Sequence, residues 1–104
     1  MSEAHRAVEQ EDLVRLRQLL DTGTDVNAVE DGWTLLHHAV DVEIDGHNQT
    51  GDPLHVDVTA FLLARGADPS ISVDGGQTPF QMAFSRGHWL AVTLMEAISS
   101  RRPQ

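Results

Sequence analysis

Two short motifs each occur twice along this chain of 104 residues, and they alternate. Leu13 to Ala28 reads LVRLRQLLDTGTDVNA and Val56 to Ser70 reads VDVTAFLLARGADPS, so both run from an apolar-periodic stretch into Leu-Leu-x-x-Gly-x-Asp. Asp31 to Val40 reads DGWTLLHHAV, and Gly75 to Phe84 reads GGQTPFQMAF. Internal repetition of this kind marks stacked supersecondary units, none of which buries its own apolar face. It therefore constrains the fold before any single element is considered.

The residue types at these spacings have physical reasons. Thr34 and Thr78 suit the cap of a helix, and the position after each suits proline because the first turn needs no amide proton there. The fourth residue, His37 or Gln81, can reach back toward the turn. Gly23 and Gly66 each follow two leucines and two polar residues, where a helix ends in a left-handed conformation that glycine adopts cheaply. The chain thus predicts helix starts and helix stops in alternation.

In these motifs, and in Gly87-His88, the chain resembles ankyrin-repeat proteins, whose unit of about 33 residues carries Thr-Pro-Leu-His-x-Ala, a short helix, Gly-His and a second helix. The resemblance implies an all-α ankyrin-repeat solenoid of about three helix-turn-helix units, at about 2–30, 31–74 and 75–100, in a single domain spanning 1–104. Leu35 replaces the usual proline, Gln81 the histidine, and Pro69-Ser70 the usual Val-Asn. Length is the larger departure. Thr34 and Thr78 stand 44 residues apart. Aligned to the repeat, the surplus falls on the eleven residues EIDGHNQTGDP, Glu43 to Pro53, between the two helices of the second unit. An insertion there is expected to loop out, because its polar backbone needs water. It is either part of a binding edge or a tolerated lengthening, since loop length is cheap.

Charge narrows the partners. The net charge is −9, and the stretch from Gln18 to Ala64 holds nine acids and neither Lys nor Arg. That disfavours nucleic acid or an anionic membrane and favours a basic protein. With no cysteine, disulfides and thiolate chemistry are excluded. No apolar run reaches the ~20 residues of a membrane span, and the start lacks the layout of a secretory signal. A cytoplasmic protein is expected, and seven arginines without a lysine suggest a bacterial source.

The expected function is a non-catalytic protein-protein interaction module with no metal or cofactor, in one version an inhibitor or immunity protein covering a basic toxin or nuclease. The resemblance implies contacts through turn tips and inner helices. These are Trp33 and Gln77 at the turns, His38 and Met82 on the inner helices, and Asp41, Val42, Ser85 and Arg86 near their ends. Glu43, Asp45, His47 and Asp52 join them from the 43–53 loop. Trp33 either anchors a partner or packs on the neighbouring turn. Trp89 is expected in the core or covering the final helix. An alternative is a metal-dependent enzyme using His37, Asp41, His47 and His55, although no tight ligand signature is present. His37, His55 and His88 already occupy family motif positions that imply structural roles. A purely structural stack is the third reading. The expected state is a monomer, or a weak homodimer through the apolar C-terminal helix.

Overall fold

The computed structural model describes residues 1–101. Its helices are α1 (Glu3–Glu9), α2 (Leu13–Asp21), α3 (Leu35–Thr50), α4 (Asp57–Ala64), α5 (Pro79–Arg86) and α6 (Trp89–Arg101). Two short strands, β1 (Val29–Glu30) and β2 (Trp33–Thr34), pair antiparallel as Val29 with Thr34 and Glu30 with Trp33. Asp31 and Gly32 close that hairpin with φ of 52° and 81°, the positive values that a two-residue turn of this twist demands.

The helix starts form as their residue types dictate. Thr34 and Thr78 each accept a hydrogen bond from the backbone N–H three residues on, and the side chains of His37 and Gln81 return the bond to the threonine N–H. Pro79 sits in the first turn of α5. Asp12 caps α2 and Ser2 caps α1 in the same way, through Arg15 N–H and His5 N–H.

The helices pack in consecutive pairs, α1 with α2, α3 with α4 and α5 with α6. α3 packs against α1 on one side and α5 on the other, while α4 lies against both α3 and α6. Leu16, Leu35, Leu36, Val40, Val58, Leu62 and Met95 are fully buried in the resulting core. At the far side of α5 the cover stops. Phe80 and Phe84 hold the helix positions of Leu36 and Val40, yet Phe84 is 71% exposed.

The 43–53 stretch is not a loop along its whole length, as the sequence suggested. α3 continues without a break through Thr50, and only the linker 51–56 is non-helical. The cause is visible in the spacing: Leu36, Val40, Glu43 and Ile44 fall on one helical stripe, and all four are buried. Gly46 in the helix interior costs about 1 kcal/mol, which that stripe offsets. Gly51, with φ of 73°, supplies the left-handed stop.

Glu43 likewise is not an exposed contact residue. It is fully buried, and its carboxylate accepts four hydrogen bonds: Val58 N–H and Thr59 N–H at 3.1 Å each, the Thr59 hydroxyl at 2.6 Å and His88 Nε2–H at 2.7 Å. His88 Nδ1 accepts from Ala91 N–H, so a neutral imidazole suffices here. No side chain at Val56 caps α4. Glu43 caps it from the neighbouring helix, and the positive end of α4 favours the carboxylate.

Trp89 is also placed otherwise than expected. It is 64% exposed, because the buried stripe of α6 runs through Ala91 and Met95, and a residue two positions before Ala91 points away from it.

Candidate protein-binding face

The hairpin tip and the first turn of α3 bring an aromatic group to the surface. Trp33 is half-buried against His38, with ring centroids 5.9 Å apart and tilted by 59°. His38 in turn meets His5 of α1, at 5.4 Å between centroids. His5 Nε2–H donates to the Ala28 carbonyl at 3.1 Å, and its Nδ1 faces Nδ1 of His38 at 3.2 Å. A carbonyl only accepts, so the His5 proton is on Nε2. With both rings neutral, His38 Nδ1–H donates to His5, and the lone pair of His38 lies on Nε2.

A cavity of about 290 Å³ opens beside these rings, lined by Met1, His5, Glu30, Asp31, Trp33 and His38. Burial holds His38 below the usual imidazole range, and His5 adds to this against the opposing charges of Glu9, Asp41 and Glu30. For Glu30, desolvation alone would raise the carboxyl. The hydrogen bonds from Ser2, the N-terminal ammonium at 3.8 Å and His5 together bring it below its ordinary value.

The other predicted contacts divide. Asp41 and Arg86 pair with each other at 2.6 Å, tying α3 to α5. Gln77 donates its side-chain N–H to Ser85 at 3.2 Å, and its carbonyl accepts His37 Nε2–H at 2.7 Å. Val42 is half-buried. Met82 is buried within the core cluster, because an apolar side chain at that point of α5 packs inward, and it offers no contact surface. Asp45, His47 and Asp52 are exposed, but they lie toward the other end of α3, about 20 Å of helix from Trp33.

The alternative metal set does not converge. His37 has both ring nitrogens engaged, accepting from Thr34 N–H and donating to Gln77. Asp41 is held by Arg86, and His47 Nδ1 donates to the Asp52 carbonyl. His55 instead belongs to the one cluster of metal-ligating types that gathers among the described residues, with Glu11 and Asp57. Its Nε2 meets Glu11 at 3.1 Å while Nδ1 meets Asp57. The two nitrogens of one ring face two different carboxylates, which is the geometry of a bracketed imidazolium joining α4 to the turn before α2. Burial would lower the His55 pKa, but the Asp57 hydrogen bond and the charges of Glu11, Asp57 and Glu43 raise it overall. Desolvation of Glu11 outweighs the pull of His55, so that carboxyl too is raised.

Sequence reasoning missed His5, which lies outside both motifs and carries no signal of its own. It also missed the Glu43 network, whose signal was the stripe through Leu36, Val40 and Ile44.

Comparison with known proteins fits this architecture. The family described as "Ankyrin repeat" matches residues 31–73, and "Ankyrin repeats (many copies)" matches residues 55–98. An ankyrin repeat domain from Acinetobacter baumannii AYE superposes with a TM-score of 0.75 at 29% identity, covering 92% of this chain and 46% of that one. The 2-5A-dependent ribonuclease of Mus musculus is 45% identical over 80 residues, and that of Homo sapiens 37% over 84. Those matches take in 75% and 79% of this chain but only 9% and 10% of the ribonucleases, so the chain spans about a tenth of their length. The chain belongs to the ankyrin-repeat family. Ankyrin repeats are in general non-catalytic protein-protein interaction modules, and no described helix is long and apolar enough to cross a membrane.

Proposed function

We propose that this chain binds a basic protein through the hairpin tip and the first turn of α3, with Trp33 as the anchor. One observation carries the reading: a large aromatic side chain stands half-exposed beside a cavity whose lining includes the carboxylates of Glu30 and Asp31. Aromatic anchors supply much of the burial energy at interfaces, and charge guides encounter. The net charge of −9 acts in the same direction. Asp45 and Asp52, on the α3 extension and its linker, add to the steering field rather than to the anchor.

Affinity capture at low and high salt, comparing the intact chain with Trp33→Ala, tests this. Retention of a basic protein that weakens with salt and is lost in the variant is expected. Equal capture by both baits would move the interface elsewhere. Because the relatives are named for dependence on 2-5A, that compound is a direct control. In a Trp89→Phe background Trp33 is the sole tryptophan. A saturable change in its fluorescence on adding 2-5A, with no protein captured, would replace the protein-binding reading.

A further inference from the structure

We propose that the cavity beside Trp33 receives a single arginine side chain of the partner, its guanidinium stacked on the indole and hydrogen-bonded to His38 Nε2 and the Asp31 carboxylate. This rests on the protein-binding reading and gives it a chemical address. The lining offers two carboxylates and the open ring nitrogen of His38 as acceptors. His5 spends its one N–H on Ala28. Glu30 is already met by Ser2 N–H and the N-terminal ammonium. Asp31, at the exposed tip, makes no hydrogen bond or ion pair with any described residue. His38 Nε2 is likewise unpartnered, and it is open to solvent, because no buried side-chain polar atom lacks a partner among the described residues.

A cation with several donors fits this arrangement better than any neutral or anionic group. Glu30 and Asp31 place two carboxylates in the lining. Between the two basic side chains, arginine matches the site more fully. Its planar guanidinium stacks on an aromatic face and presents a fork of donors, whereas lysine offers a compact, strongly hydrated point charge. About 290 Å³ admits one such side chain and not a folded element.

Protonation of His38 would convert its acceptor into a donor and add a like charge beside the guanidinium. His38 is faced by His5 and Glu9 of α1, Glu30 of the hairpin and Asp41 of its own helix. Binding should therefore weaken on acidification.

Nuclear magnetic resonance on the full chain provides the test, with blocked Gly-Arg-Gly, Gly-Lys-Gly and Gly-citrulline-Gly peptides as probes. The arginine peptide is expected to shift the Trp33 indole and the His38 ring signals saturably. The lysine peptide should bind at least about threefold more weakly, and the uncharged citrulline peptide not at all. Asp31→Asn, at an exposed position whose left-handed backbone asparagine tolerates, should weaken the arginine peptide about threefold or more. Acidification should do the same once the His38 ring signals report its protonation, below the usual imidazole range. Equal binding of citrulline, shifts located away from Trp33 and His38, or indifference to Asp31→Asn would each overturn the assignment. If the arginine peptide fails while capture of a protein still depends on Trp33, the arginine assignment falls and the protein-binding reading stands. If capture is indifferent to Trp33, that reading falls on its own evidence.

Discussion

The second and third units begin alike and end differently. Thr34 and Thr78 start their helices with the same reciprocal cap. Beyond that cap, Leu36 and Val40 are 1% and 0% exposed, whereas their counterparts are the half-buried Phe80 and the bare Phe84. His37 and Gln81 show the same contrast. Both return the cap bond, but His37 also uses its second polar atom on the next unit, donating from Nε2 to the Gln77 carbonyl. The local sequence sets the helix, and the neighbour sets its worth. In a stacked protein, burial is a property of the interface between units rather than of either unit.

Substitutions can break this comparison or sharpen it. Leu36→Ala should cost about 3 kcal/mol in urea unfolding, while Phe84→Ser should stay within about 0.5 kcal/mol. Similar costs would mean that the far side of α5 is covered in solution. Glu43→Ala is expected to destabilise by about 2–3 kcal/mol, because it uncaps α4 and strips His88 of its acceptor. Asp45→Ala, two residues along the same helix, should change the midpoint little. A smaller effect, about 1 kcal/mol, is expected of His37→Gln, which keeps the local cap as Gln81 does and loses only the bond between units. An unchanged stability would show that the His37–Gln77 bond adds nothing across the junction.

The smallest effect concerns His55 and His88, which hold the same motif position in the two units. His88 is buried against Glu43, while His55 is partly exposed between Glu11 and Asp57. The folded-state pKa of His55 is raised. Its contribution is therefore fully present below the ordinary imidazole value and is lost as pH rises through the folded value. With this much solvent around the ring, a few tenths of a kcal/mol is expected. Urea midpoints between about pH 6 and about pH 8.5 should show that loss in the parent chain and not in His55→Gln. A parent chain with the same slope as the variant would remove the bracket from the account of stability.

Much of the fold was legible because its signals are local. The threonine caps, the helix-stopping Gly23 and Gly66 and the alternation of motifs all act within a turn or two of themselves. What failed depended on partners far along the chain. EIDGHNQTGDP reads as a loop by its polar composition, yet Glu43 and Ile44 prolong a buried stripe, and only Gly51, Asp52 and Pro53 leave the helix. Glu43 reads as a solvated acid because its four donors come from residues 58, 59 and 88. At the proposed face, Trp33 and His38 do meet, as neighbouring positions of the turn and inner helix imply. Their link to His5 crosses 33 residues of sequence, which no local pattern announces.

The position of Glu43 bears on how the stack comes apart. A repeat array would ordinarily fray from an end, with the terminal pair of helices peeling away while the rest holds. Here the same carboxylate holds the start of α4 in the second unit and the histidine that opens α6 in the third. Detaching the third unit would withdraw one of its donors and open the others to water. The amides of α4 and α6 should then exchange with solvent in a single concerted opening, and trimming the long α3 back to the usual repeat length would remove the residue that makes them open together.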